Sequence, residues 1–336
     1  MIPSPRRVVV IQTAWLGDVI LTTPLFRAIK RRWPEARVEA VVIPGTAPVL
    51  EGLKDVDGVI VHDKRRGGWK DFRRTARDLR AGGFDLCLAP HRSARTAVLA
   101  RASGAAVRVG YRESALSFLY TARVRRPRAG HEVERILALG APFGLELRGI
   151  VRPRLAVTEE ERRRAAAVTG GRPYAVVSPS SAWPTKRWRA EGFAAVADNL
   201  SARGLMVVLT GAPGEEAEAA AVAAATPGPV VNLAGRTTVR ELAALVAGAT
   251  VVVANDSAPV HLASAFDRPT VAIFGATVPA QGFGPLAARA AVAEVTGLAC
   301  RPCGAHGGRK CPKKHFKCMN ELSADAVLAA VAAVLE

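Results

Sequence analysis

The stretch Ile11–Pro34, "IQTAWLGDVILTTPLFRAIKRRWP", decides the fold. It continues an apolar run that begins at Val8, and a short turn then gives way to an amphipathic, helix-forming segment. Strand, turn and helix in that order open a parallel α/β unit. Such units place their working atoms outside the carboxyl end of the strand. Asp18, in the pair Gly17-Asp18 at that turn, is therefore the first candidate functional residue. A Gly-Asp pair before a helix also serves as a cap, so capping and chemistry compete for the same carboxylate. Pro24, six residues on, predicts that the helix kinks or restarts.

The same alternation runs through the chain. The strands expected in the first half are Val8–Thr13, Val38–Pro44, Gly58–Asp63, Asp85–Pro90 and Val107–Tyr111. In the second half they are Tyr174–Pro179, Leu205–Gly211, Val230–Ala234, Thr250–Asn255 and Thr270–Gly275. Nearly continuous apolar strands interleaved with helical stretches indicate parallel sheets covered on both faces. The pattern occurs twice, with a basic, Pro-containing stretch around Arg148–Val157 between the copies, and 336 residues suffice for two domains. The expected architecture is α/β: two doubly wound parallel-sheet domains, 1–155 and 156–336, facing each other across a cleft. Ser323 caps a final amphipathic helix.

Composition narrows the function. Hydrophobic residues make up 49% and charged residues 23%, which describes a folded globular chain. No apolar run approaches the roughly 20 residues that span a bilayer. The N-terminal Met1–Arg7 leads into a strand rather than a signal-peptide core, which reads as cytoplasmic. Neither G-x-G-x-x-G after a first strand nor a P-loop motif is present, which counts against a nicotinamide dehydrogenase and a P-loop NTPase. The net charge is +18. Residues 1–150 hold 27 Lys/Arg against 14 Asp/Glu, a net of +13, and the remainder holds 20 against 15, a net of +5. A basic half suits an acidic partner, although an Arg-rich proteome would also bias a surface this way.

Three strand ends in the second half carry the other candidates. In "VVVANDSAPVHLASAF" a buried strand ends at Asn255-Asp256-Ser257 and a helix begins at once. Such a helix start accepts a phosphate through its free N–H groups and dipole, and the same residue types are ordinary N-caps. His261 lies four residues after Ser257, about one helical turn on, where an imidazole can donate to a diphosphate. In "SPSSAWPTKRWRAEGF", Ser180 and Ser181 lie at a strand end and Lys186 in the following turn, a set suited to anionic oxygens. In "TGAPGEEAE", Glu215 and Glu216 open a helix, where they favour its dipole or can accept from ribose hydroxyls.

These residues carry a resemblance. "IQTAWLGDVILTTPL", "HRSARTAVLARASGAAVRVGY", "HEVERILAL", "SSAWPTKRW", "NLAGRT", "NDSAPVHLASAFDRPTVAIFGAT" and "CRPCGAHGGRKCPKKHFKCMNEL" occur in the order of the bacterial lipopolysaccharide heptosyltransferases. The chain resembles that family from about residue 8 to 330, and its heptosyltransferase II branch most. The resemblance implies the GT-B fold, with two Rossmann-like domains, the N-terminal one for the lipid acceptor and the C-terminal one for the nucleotide sugar. It implies transfer of L-glycero-D-manno-heptose from ADP-heptose to the inner core of lipopolysaccharide, with inversion and no essential metal or other cofactor. Asp18 matches the family's catalytic aspartate, Lys186 its diphosphate-binding lysine, and Asp256, Ser257 and His261 its phosphate-binding motif. Glu215 or Glu216 matches an acidic position near the adenosine. Ala258 stands where many relatives carry Gly, and its methyl group restricts the backbone at a close phosphate approach.

The basic excess then has a partner. Lys64, Arg65 and Arg66, with Arg92, Ser93 and Arg95 near a strand end, suit an anionic lipid A-core acceptor. The same surface suits peripheral attachment to the cytoplasmic face of the inner membrane. Cys300, Cys303, Cys311 and Cys318, with His306 and His315 between, offer ligands for a structural zinc or are reduced thiols packed in a loop. Two other readings stand beside this one. The first is a GT-B transferase for another nucleotide sugar or acceptor. The second is a basic nucleic-acid-binding protein with a zinc site, against which count an aromatic content of 5% and the lack of any recognised binding motif.

Overall fold

Val8, Val9, Val10 and Ile11 are each fully buried and form the heart of β1 (Arg7–Ile11) in the computed structural model, which describes residues 4–147, 149 and 151–336. The chain divides into two units, Met1–Ala156 and Val157–Glu336. The connecting stretch expected around Arg148–Val157 lies partly outside the described residues, at Arg148 and Ile150.

In unit 1, β1 is followed by α1 (Leu16–Arg32), β2 (Arg37–Val42), β3 (Gly58–Val61) and α2 (Gly68–Ala81). Then come β4 (Leu86–Ala89), α3 (Ala94–Ala102), β5 (Val107–Tyr111), β6 (Ala122–Val124) and α4 (Glu132–Leu137). The six strands are all parallel in the order β3-β2-β1-β4-β5-β6, with Val8 of β1 paired to Val38 on one side and Leu86 on the other. The order reverses between β1 and β4.

Unit 2 repeats the plan. It runs α5 (Glu159–Thr169), β7 (Tyr174–Ser178), α6 (Ala190–Ala202), β8 (Met206–Leu209), α7 (Glu216–Ala225), β9 (Val230–Asn232) and α8 (Val239–Gly248). It continues with β10 (Val251–Asn255), α9 (Ala258–Ala265), β11 (Thr270–Phe274), β12 (Ala290–Glu294), α10 (Lys317–Asn320) and α11 (Ala324–Leu335). The parallel order is β12-β11-β10-β7-β8-β9, reversing between β7 and β10, where Val252 pairs with Val176 and Thr270. Every residue of β10 is fully buried. Phe193 and Leu200 of α6 and Val327 and Val331 of α11 close one core against Val253 and Ile273. The Ser323 hydroxyl caps α11, accepting from Ala326 N–H at 3.2 Å.

Two elements depart from the sequence expectation. β6 and β12 are edge strands that the sequence does not announce. β12, "AAVAE", sits in an Ala-rich segment of high helix propensity, yet its backbone pairs residue for residue with buried β11, from Thr270–Ala290 to Phe274–Glu294. The helix does not restart at Pro24, because α1 is one helix through it. Pro24 has no N–H to give the Ile20 carbonyl, and the Thr23 hydroxyl donates to that carbonyl instead, at 2.8 Å.

Candidate functional site

Both units place their candidate residues at the gap where strand order reverses, the position that doubly wound sheets leave open for ligands.

In unit 1 the gap lies beyond β1 and β4. Asp18 occupies the third position of α1 and is half-buried, and its Oδ2 accepts the Trp15 backbone N–H at 3.1 Å. The capping role is thus real, and it fixes the carboxylate at the helix mouth. Lys64 reaches the same place from the loop after β3, donating from Nζ to the Thr13 carbonyl at 2.5 Å. Burial lowers its pKa, the charges of Arg65 and Arg95 add to the lowering, and Asp18 opposes it. Lys64, Arg65 and Arg95 therefore share one electrostatic neighbourhood with Asp18. The Arg65 guanidinium lies over the exposed Trp15 ring, 5.0 Å from its centre. Asp63 shapes this loop by accepting the N–H groups of Arg65 at 3.1 Å and Arg66 at 2.9 Å. Ser93 is chiefly a helix cap, its Oγ accepting from Thr96 N–H at 3.2 Å. Arg92 is exposed, and its charge acts on the neighbouring His91.

Two residues to which the sequence reading gave no role complete this gap. His91 sits among hydroxyls, with Nδ1 3.0 Å from Thr13 Oγ1 and 3.1 Å from Thr96 Oγ1. Burial, reinforced by Lys64 and Arg92, lowers its pKa to about 4, so it is neutral near pH 7. Glu132, the first residue of α4, is buried, and burial raises its pKa, with Asp18 adding repulsion and Arg126 and Arg135 opposing. It pairs with Arg126, while the neighbouring Glu134 does the capping by accepting the His131 N–H at 3.0 Å. The signal was present in "HEVER": of two glutamates two apart, one caps and the other turns inward.

In unit 2 the gap lies beyond β7 and β10. Lys186 belongs to a short turn of 3₁₀ helix, Pro184–Lys186, and its Nζ stands 2.6 Å from Asp256 Oδ2. The same oxygen accepts from Thr277 Oγ1, also at 2.6 Å. Ser180 and Ser181 are buried at the end of β7. Ser180 Oγ donates to the Glu215 carbonyl at 3.4 Å, and the Ser181 carbonyl accepts Arg187 Nε at 2.8 Å. Asn255 is a brace: its Nδ2 donates to the Pro179 carbonyl at 2.6 Å and its Oδ1 accepts the Trp188 N–H at 3.1 Å. Ser257 turns its hydroxyl back to the Asn255 carbonyl, so no side chain caps the start of α9. His261, one turn along α9, is buried, with its ring 6.3 Å from that of Phe283. Glu215 accepts the Ala212 N–H at 3.0 Å, and Glu216 accepts the Gly214 N–H at 2.9 Å and packs where a side chain at Gly235 would stand. Thr277 was the unread residue here, carried in the quoted "FGAT".

The cysteines carry no disulfide, and Cys318 is buried with its thiol pushed up to about 11 by burial. Cys300 Sγ is 3.9 Å from His315 Nε2, and Cys303 Sγ donates to the Cys300 carbonyl at 3.0 Å. Among the described residues no group of three or more His, Cys, Asp or Glu side chains is arranged to hold a metal ion.

Known proteins share this fold. The chain is similar to the crystal structure of a family 9 glycosyltransferase from Veillonella parvula DSM 2008, with a TM-score of 0.85 and 26% identity over 98% of this chain and 97% of that one. It has the same fold as the ADP-heptose lipopolysaccharide heptosyltransferase II of E. coli, with a TM-score of 0.82 and 24% identity over 98% of both chains. The fold is therefore the GT-B fold of glycosyltransferases. The model of "Glycosyltransferase family 9 (heptosyltransferase)" matches residues 72–315, and lipopolysaccharide heptosyltransferase 3 of Escherichia coli is 31% identical over 281 residues, 78% of this chain and 81% of that protein. The chain belongs to glycosyltransferase family 9, the heptosyltransferases.

Proposed function

We propose that the protein transfers L-glycero-D-manno-heptose from ADP-heptose to the inner core of lipopolysaccharide, as a heptosyltransferase II. What carries the reading, given the family, is the Lys186–Asp256–Thr277 cluster, which holds an ammonium beside the uncapped start of α9, a seat for a diphosphate. Unit 2 binds the donor. Lys186, Ser257, His261 and the α9 N-terminus take up the charge of the departing ADP; Ser180 and Ser181 line the seat, Asp256 orients Lys186, and Asn255 braces the strand ends. Glu215 or Glu216 accepts from the nucleoside.

Unit 1 binds the acceptor through Lys64, Arg65, Arg66, Arg92 and Arg95, with Ser93 ordering the last two. Asp18 takes the proton of the acceptor hydroxyl as its oxygen bonds to the anomeric carbon. The bond from that carbon to the diphosphate breaks on the opposite face, which inverts the configuration. No metal or other cofactor enters this scheme. Among the described residues no helix is long and apolar enough to cross a membrane, so contact with the cytoplasmic face of the inner membrane, where the acceptor lipid lies, is peripheral in this reading. The test is ADP release from ADP-heptose with purified inner-core acceptors. Asp18→Ala is expected to lower turnover about 10²–10⁴-fold while donor binding persists; full activity in that variant overturns the mechanism.

A further inference from the structure

The Cys-rich segment after β12 has no part in the scheme above, yet it grips the donor seat from two sides. On one side Thr185, buried at 3% exposure, is locked to Gly308. Its N–H donates to the Gly308 carbonyl at 3.2 Å, its hydroxyl donates to the same carbonyl at 2.9 Å, and it accepts the Gly308 N–H at 2.7 Å. Gly307 runs against the next side chain: a Cβ there would stand 3.0 Å from Thr185 Oγ1 and 3.3 Å from Lys186 Cγ, and its φ of +78° suits only glycine. On the other side Arg301 donates from Nε to the Gly275 carbonyl at 2.5 Å and from Nη2 to the Thr277 carbonyl at 2.8 Å. Cys303 N–H adds a bond to the Ala276 carbonyl at 2.7 Å. These bonds fix the turn that carries Thr277. One segment, 301–308, therefore holds both groups that converge on Asp256 Oδ2.

We propose that Thr185, clamped to Gly307-Gly308, is a positioning residue that sets where the Lys186 ammonium stands, and so makes segment 301–308 part of the donor-binding machinery. The proposal rests on the reading of Lys186 as the diphosphate-binding lysine. A lysine stem is flexible, and ordering it before the ligand arrives removes that entropic cost from binding. The clamp supplies the order through the backbone on both sides of Thr185, where a hydroxyl satisfies donor and acceptor at once.

The experiment is titration with ADP, alongside donor KM and kcat, for wild type, Thr185→Val, Thr185→Ser, Lys186→Ala and the double variant Thr185→Val/Lys186→Ala. Thr185→Val is expected to weaken ADP about 5- to 30-fold and to raise donor KM more than it lowers kcat. Thr185→Ser, which keeps the hydroxyl, restores both. In the Lys186→Ala background the Val substitution costs no further affinity, because the clamp acts through that ammonium. Gly307→Ala reports on the other jaw and is expected to reproduce the loss, also if Thr185→Val does not fold. An unchanged ADP affinity in Lys186→Ala overturns the assignment of Lys186 itself. A loss in Lys186→Ala with none in Thr185→Val or Gly307→Ala, or an equal loss from Thr185→Val in both backgrounds, overturns the clamp alone.

Discussion

The two sheets share one strand-order plan and differ in what holds their gaps together. Beyond β7 and β10 the Lys186–Asp256 ion pair is set in a frame of bonds to backbone: Asn255 to Pro179 and Trp188, Arg187 to the Ser181 carbonyl, Thr185 to Gly308. Beyond β1 and β4 charges and a half-buried imidazole weigh more: Glu132 pairs with Arg126, Lys64 lies within the fields of Arg65, Arg95 and Asp18, and His91 meets Thr13 and Thr96. One topology thus supports two kinds of site. Backbone bonds hold a seat at any pH in the physiological range, whereas ion pairs and buried titratable groups answer to protonation and to loss of a partner.

That contrast can be broken at its strongest point first. Arg126→Ala leaves the buried Glu132 carboxylate, among the described residues, with the longer 3.5 Å contact to Arg135, and is expected to destabilise unit 1 by about 3 kcal/mol. Hydrogen exchange of the β4 and β5 amides reads this directly, while β7 and β10 stay protected. Unchanged protection in β4 and β5 would show that the ion pair does not hold the gap.

Acid comes next. The folded-state pKa of His91 is about 4 against an ordinary 6.5, so between those values the unfolded chain binds the proton and the folded one does not. The stability that neutral His91 contributes to unit 1 is therefore complete above pH 6.5 and is lost as pH drops toward 4, by at most about 3 kcal/mol. Unit 2 follows lower on the scale. A hydrogen bond from Arg240 holds Glu161 at about 2, and this stabilisation is present above 4.5 and lost only as pH falls toward 2. Exchange measured at pH 7 and pH 5 is expected to show unit 1 loosening first, and His91→Gln is expected to shrink the slope to the part due to His62, whose pKa burial also lowers.

The smallest effect sharpens the fold. Thr23→Val strips the donor from the Ile20 carbonyl and the acceptor of the Arg154 N–H, and is expected to destabilise unit 1 by about 1 kcal/mol, seen in the exchange of the α1 amides.

The sequence is a good guide to strands that are central and apolar, because burial on both faces writes itself as a run such as Val251–Asn255. It is a poor guide to edge strands, where a neighbour rather than propensity decides, as β12 beside β11 illustrates. The reach of a hydroxyl past Pro24 is local in space but not in pattern, so the continuity of α1 could not be read. Lys186 and Asp256 were legible as residues at strand ends. Their pairing across 70 positions, and the arrival of Thr277 and Gly308 at the same spot, are products of the fold. His91 and Glu132 matter because of what surrounds them, which no local motif records.

The central claim is a division of labour, with the base in one unit and the diphosphate seat in the other. Its most direct test is ADP affinity and turnover measured side by side in Asp18→Ala and Lys186→Ala. The account predicts wild-type ADP affinity with lost turnover in the first, and ADP affinity weakened about 10- to 100-fold in the second. Weakened ADP binding in Asp18→Ala together with wild-type affinity in Lys186→Ala would contradict it.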